Sequence, residues 1–221
     1  MRILVVAATL EEVGSLKSEV GSQKLEVNQD SGLKTHDFEL LITGVGMVAT
    51  AFSLGRHLAT NNYDLVVNLG IAGSFDKNIP LGEVLEITAD TIAELGAEDD
   101  NQFLSIERLG FGESTYYPTT KISDLYNLFN TFNLKQTTAI TVNTVHGNDA
   151  SIKRVADRLS PQLESMEGAA FFYVCQQMAV PCLQIRAVSN YVEKRNRDNW
   201  NIGLAIKNLN TFAVDFLKLY A

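Results

Sequence analysis

Along the chain, apolar residues gather in short runs of strand length, and most runs lead through a turn residue into a stretch with helical spacing. Arg2–Ala8 predicts the first strand. After it, Leu10, Val13 and Leu16 recur at helical spacing and predict a helix over Leu10–Val20, with Glu11 and Glu12 in the first turn, where the helix dipole favours acids. Phe38–Thr43 predicts a second strand, broken by Gly44-Val45-Gly46, and Met47–Ala59 a second helix. Asp64–Leu69 predicts a third strand that enters a second glycine turn, Gly70-Ile71-Ala72-Gly73. Glu83–Leu95 reads as one extended, bent strand. Ala97–Thr120 is polar and punctuated by glycine, which predicts loop with at most a short strand or turn.

The second half repeats the pattern. A helix is expected over Ile122–Phe132, a strand over Lys135–Val142, and a helix over Ala150–Leu159 opened by Asn148 or Asp149 as cap. Leu163–Met166 predicts a short strand, Glu167–Met178 an apolar helix and Cys182–Ser189 another strand. Asn199–Leu219 predicts a long helix with Ile202, Ile206, Leu209, Ala213, Phe216 and Tyr220 on one face. Strands alternating with helices imply parallel pairing through crossovers, and hence a three-layer α/β domain. No internal repeat or Pro/Ser-rich linker divides the chain, so residues 1–221 are read as one domain. Ligands of such sheets gather at the carboxyl ends of the strands. That rule selects five loops: Ala8–Glu12, Thr43–Met47, Gly70–Ser74, Asn143–Asp149 with Met166–Gly168, and Ser189–Arg197.

Composition narrows the chemistry. The chain has 221 residues, 46% of them hydrophobic, enough to close one sizeable core. Its 26 acidic and 18 basic residues give a formal charge of −8. So acidic a chain repels polyphosphate, which argues against a general nucleic-acid binder. No apolar run approaches the ~20 residues needed to span a bilayer, and Met1–Ala8 leads into Thr9-Leu10-Glu11-Glu12 without a signal-peptidase pattern. Cys175 and Cys182 are too few and too close for a disulfide framework. A cytoplasmic protein without membrane attachment is expected.

Several familiar motifs are missing: there is no phosphate-binding G-x-x-x-x-G-K, no G-x-S-x-G and no cysteine beside a histidine. His36, His57 and His146 stand far apart in sequence, and no metal is expected. Gly44–Ala49 fits a loose G-x-G-x-x-A pattern, but the acid about 20 residues on, Asp64, begins the next strand instead of ending it. A tight turn with close helix packing accounts for the glycines equally well. Glu12 lies just beyond the first strand, either as a solvated acid on the helix dipole or as a general base aimed into the crevice. Met166-Glu167-Gly168-Ala169-Ala170 puts a carboxylate where an apolar strand turns into an apolar helix, followed by three small residues. Such a carboxylate suits backbone N–H groups, or two hydroxyls of a ribose. Asn190 ends the last apolar strand, as a turn residue or as an amide offered to a heterocycle edge. Lys194, Arg195 and Arg197 follow, as a solvated loop or as a clamp for an anionic substrate.

These segments together resemble the nucleoside phosphorylase/nucleosidase superfamily. Ala7–Glu12, Thr43–Gly46, Asn68–Gly73, Ser165-Met166-Glu167 and Arg186–Asn190 fall in the superfamily's order along the whole chain. Within it, Asn143–Asn148, Met166–Ala170 and Ser189–Glu193 resemble the futalosine hydrolases, purine nucleosidases of an alternative menaquinone pathway. The resemblance implies an α/β/α fold with a central mixed, mostly parallel twisted sheet, and a dimer. It implies a small purine nucleoside as the binding partner, and no cofactor. By position, Glu12 would activate water, Met166 and Glu167 would hold the ribose, and Asn190 would engage the purine. Ile71, Thr144 and Val145 would join the substrate-binding set, and Arg195 or Arg197 would meet the substrate's benzoate carboxylate. His146 is left open between catalytic support and a structured turn.

Two departures refine this picture. Nucleosidases for 5′-methylthioadenosine and S-adenosylhomocysteine carry Asp where this chain has Asn190, and many carry Glu where it has Ser165. An Asp protonates purine N7, whereas a neutral amide only donates a hydrogen bond, which favours a 6-oxopurine. Phosphorolysis is disfavoured because Glu11, Glu12 and Asp76 stand where the related phosphorylases place arginines. Open alternatives are another purine nucleosidase and a non-catalytic nucleoside-binding protein on the same fold, with a nicotinamide oxidoreductase more distant.

Overall fold

The computed structural model describes residues 1–14, 16, 26–28, 32–34, 38–119 and 132–219. The expected helix over Ile122–Phe132 lies outside the described residues apart from Phe132, as do His36, Tyr220 and most of the expected helix over Leu10–Val20.

A ten-stranded mixed sheet forms the middle layer, in the spatial order β11-β10-β6-β12-β5-β1-β4-β3-β2. Its strands are β1 (Ile3–Ala7), β2 (Glu26–Asn28), β3 (Gly32–Lys34), β4 (Phe38–Ile42), β5 (Leu65–Ser74), β6 (Val84–Ile92), β10 (Lys135–Thr141), β11 (Leu163–Ser165) and β12 (Cys182–Tyr191). The short β9 (Thr115–Tyr116) joins β6 at the side. The long neighbours β4, β1, β5 and β12 run parallel to one another. β11 pairs with both β10 and β5, so β11, β10, β6, β12 and β5 close into a ring.

Alternation along the central strands explains the three layers. Ile3, Val5 and Ala7 of β1 and Leu65, Val67 and Leu69 of β5 enter one core. There they meet Leu209, Phe212, Ala213 and Phe216 of the long helix α4 (Ile202–Lys218). Leu4, Val6 and Val66 enter the other core. That core is closed by Leu54 and Leu58 of α1 (Met47–Leu58) and by Phe171, Phe172 and Cys175 of α3 (Gly168–Gln177). A smaller cluster seats Val155 of α2 (Asp149–Leu159) on Ile140 and Val142. Asn148 caps α2, its Oδ1 accepting from the Ala150 and Ser151 amides at 3.0 and 3.3 Å.

Three expectations need correction. The chain after β1 makes a 3₁₀ turn, Glu11–Val13, with no side-chain cap. Glu12 instead reaches back to the Thr9 amide and hydroxyl. Gly70–Gly73 is not a turn but a continuation of β5, paired with Arg186, Ala187, Val188 and Asn190 of β12. The polar stretch after Leu95 contains a hairpin, β7 (Gly96–Asp99) and β8 (Gln102–Ser105), turned by Asp100 at φ 51°. All four residues of β7 are exposed, so no hydrophobic alternation marked it in the sequence.

Candidate active site

The five selected loops meet at one cavity of about 500 Å³ above the carboxyl ends of β1, β5 and β12. Glu12, Ile71, Val145, Met166, Glu167, Asn190, Arg195 and Arg197 all line it. Thr144 does not. It is exposed beside Val145, outside the cavity wall.

Glu12 is held from two sides. Its Oε1 accepts the Ile71 amide at 3.1 Å, and its Oε2 accepts the Thr9 amide at 3.0 Å and the Thr9 hydroxyl at 3.3 Å. Burial pushes its carboxyl above the ordinary glutamate value, while the Ile71 amide and the nearby Arg186 guanidinium work in the opposite direction. A carboxylate so placed is a stronger proton acceptor than one in water.

Arg186 lies beneath the cavity and is 1% exposed. Its guanidinium donates to Asn68 Oδ1 and, at 3.3 Å, to the Ile185 carbonyl. Burial opposes its charge, and Glu167, Glu12 and Asp90 offset that cost. Gly70 makes room for this arrangement: a Cβ there would stand 2.9 Å from Arg186 Nη1 and 3.2 Å from Glu12 Oε1. The strand needs glycine for close approach, not for a turn.

Glu167 stands at the N-terminus of α3 but does not cap it. Its Oε1 accepts the Gly46 amide at 2.9 Å and its Oε2 the Met166 amide at 3.3 Å. Gly46 takes φ 95°, a backbone region that favours glycine, and so turns its N–H toward the acid. Deeper still, Asp90 is fully buried. Its carboxylate accepts from Thr141 Oγ1 at 2.7 Å and Gln184 Nε2 at 2.8 Å, and burial pushes it up to about 6.

Asn190 reaches the cavity through an irregularity. Val188 pairs with Ala72 and Asn190 with Gly73, so Ser189 is an extra residue, a bulge in β12. Its hydroxyl lies 3.2 Å from the Ala72 carbonyl and 2.9 Å from Asn190 Oδ1. A Ser189 proton given to Oδ1 fixes the amide, whose nitrogen donates to the Tyr191 carbonyl at 3.1 Å and keeps its second N–H for a ligand. Beyond it, Trp200 stacks under both cations of the loop, with the guanidinium carbons of Arg195 and Arg197 4.9 and 5.6 Å from its ring.

Sequence reasoning did not single out Arg186, Asp90, Glu164 or Trp200. An arginine inside the apolar run Cys182–Val188 was the one available signal. Among the described residues, no three His, Cys, Asp or Glu side chains are grouped to hold a metal ion, and no helix is long and apolar enough to cross a membrane.

The chain is 32% identical over 219 residues to the futalosine hydrolase of Streptomyces coelicolor, covering 95% of this chain and 92% of that one. It is 29% identical over 180 residues to the futalosine hydrolase of Thermus thermophilus, covering 80% of each. Its fold superimposes with a TM-score of 0.80, at 20% identity, on a 5′-methylthioadenosine/S-adenosylhomocysteine nucleosidase of Colwellia psychrerythraea solved with adenine, covering 100% of this chain and 96% of that one. The description Phosphorylase superfamily matches residues 2–219, and the chain belongs to that family.

Proposed function

We propose that this chain is a purine nucleosidase that hydrolyses the N-glycosidic bond of futalosine, releasing hypoxanthine on a route to menaquinone. The observation that carries this reading is the pairing, in one cavity, of a buried and doubly anchored carboxylate, Glu12, with a neutral amide, Asn190. The two relatives described as futalosine hydrolases support it. So does the adenine held by the structural neighbour, since a purine-sized ligand suits this fold.

In this mechanism Glu12 takes a proton from water, which attacks C1′ as the bond to the purine nitrogen breaks and the sugar develops oxocarbenium character. Glu167 accepts hydrogen bonds from the ribose hydroxyls and stabilises that charge, with Met166 packed on the sugar and Ile71 beside it. Asn190 donates to the N7/O6 edge as negative charge grows there. Val145 belongs to the base-binding wall. Arg195 or Arg197 pairs with the benzoate carboxylate, a cationic end in an otherwise acidic cavity. The carboxylates Glu11 and Glu12 repel phosphate, which favours water as the nucleophile.

The working unit is one domain, in the cytoplasm, as a homodimer. Val48 and Phe52, one turn apart on α1, are 81% and 67% exposed and supply an apolar face next to Val45 on the cavity wall.

The deciding experiment is chromatography of free base after incubation with futalosine, inosine or 5′-methylthioadenosine without phosphate. Hypoxanthine from futalosine is expected. Adenine from 5′-methylthioadenosine alone, or release only after phosphate is added, would overturn the assignment.

A further inference from the structure

Replacing an acid by Asn190 leaves a chemical gap. The departing purine carries away the bonding electron pair, and an amide does not transfer a proton to it. Across the ring of strands stands a pair that can. Gly73 of β5 is flanked by Glu164 of β11 on one side and by Asn190 of β12 on the other. Three residues in one cross-strand row face the same way, and the outer two lie about 10 Å apart. Glu164 is buried, with its side chain 3% exposed, and both its oxygens serve His146. The His146 amide donates to Oε1 at 2.9 Å and ring Nδ1 pairs with Oε2. Phe75 stands 6.4 Å from the imidazole, ring centre to ring centre. The Arg195 amide donates to the Gly147 carbonyl at 3.3 Å, which ties the His146 loop to the loop that follows Asn190. Both His146 and Glu164 line the cavity.

We propose that His146, oriented by Glu164 and facing Asn190 across Gly73, is the proton donor to the leaving base. This rests on the nucleosidase reading. With Nδ1 committed to Glu164, Nε2 is the ring nitrogen left for a ligand. As the glycosidic bond breaks and its electron pair moves onto the purine, the Nε2 proton passes to the base's N7/O6 edge, while Asn190 fixes the base by hydrogen bonding. Glu12 gains the proton lost by water, and both groups reset through solvent. Glu164 is a positioning residue: its carboxylate selects the ring orientation and balances the imidazolium. The charged groups around this pair are Glu164 itself, Glu94 near Glu164, Arg195 across Gly147, Arg197, and Glu11, Glu12 and Glu167 elsewhere on the cavity wall.

The test is kcat and KM for futalosine in the wild type, His146→Gln, Glu164→Gln and Glu164→Asp, with folding checked by circular dichroism. His146→Gln lowers kcat by roughly 10²–10⁴-fold with KM changed far less. Glu164→Gln, which no longer holds Nδ1 and the ring orientation, also lowers kcat more than KM, and Glu164→Asp restores part of the loss. A merely structural role would lower stability and leave kcat of the folded variants near the wild-type value. Should His146→Gln not fold, an unchanged kcat in Glu164→Gln overturns the inference alone. No hypoxanthine from the wild type overturns the hydrolase reading as well. Release by the wild type with an unchanged kcat in His146→Gln overturns only the proton donor.

Discussion

The Gly46 amide donates a 2.9 Å hydrogen bond to Oε1 of Glu167, 121 residues further along the chain. This bond joins the glycine turn before α1 to the acid before α3. Both helices pack on the same side of the sheet, so the Glu167 carboxylate is fixed by the layer as well as by the neighbouring Met166 amide. Gly46 and Glu167 therefore behave as one unit, and the glycine pattern serves the acid more directly than it serves any dinucleotide.

Glu12→Gln is expected to lower kcat by roughly 10²–10⁴-fold, with KM for futalosine changed only a few-fold. The glutamine oxygen still accepts one backbone amide, so the fold persists. Since burial raises the Glu12 carboxyl, and only the ionised form accepts a proton, wild-type activity falls with decreasing pH through a value above the ordinary 4.5. Kinetics across the acid range check this limb, which the variant should lack.

Arg195→Ala or Arg197→Ala should raise KM for futalosine about tenfold or more, the loss of one charge-assisted hydrogen bond, without changing kcat. Inosine has no benzoate carboxylate and should be handled equally by wild type and variants. An unchanged KM for futalosine in both variants removes the clamp from the mechanism.

Gly70→Ala forces a methyl to within 2.9 Å of the Arg186 guanidinium and 3.2 Å of Glu12. Neither neighbour can retreat from a packed floor. A stability loss of about 1–3 kcal/mol is expected in urea unfolding, together with reduced kcat as Glu12 is displaced. Full activity with wild-type stability would show that the strand yields there.

Asp90 titrates near 6 in the fold and near 3.8 when exposed. Between those values the folded chain holds the proton more tightly, so Asp90 makes stability fall as pH rises through that window, by about 3 kcal/mol in all. Asp90→Asn cannot titrate. Its amide can accept from Thr141 and donate to Gln184 Oε1, which has no partner among the described residues. Relative to wild type, the variant should gain stability between the lower and upper ends of the window. Denaturant unfolding at three pH values measures that difference, and a constant offset would contradict it.

The sequence made much of this architecture legible, since the strands of the central layers announce themselves by unbroken apolar runs. Glu12, Glu167 and Asn190 were legible too, because each is a polar residue placed where an apolar strand ends. What escaped depends on contacts between distant segments. Gly70–Gly73 reads as a turn until Arg186 is seen occupying the space a side chain would need. The bulge at Ser189, which sets Asn190 beside Gly73, is not written in the apolar pattern of β12. Glu164 looks like one polar residue in a short strand, because its partner His146 lies in a loop whose path the sequence does not fix. Thr144 and Val145 are neighbours in a motif, yet only the second faces the cavity.

The closed ring of β11, β10, β6, β12 and β5 has a consequence for how the protein breathes. Each of these strands is laddered on both sides, so none can peel away as an edge strand does, and separating any two strains the rest. Their amides should exchange with deuterium only in near-global openings, whereas residues 143–148 and 193–200 exchange by local ones. A wider or narrower substrate is then accommodated by substitutions in those overhanging segments. The spacing between Glu164, Gly73 and Asn190 stays constant while the cavity's roof is free to vary.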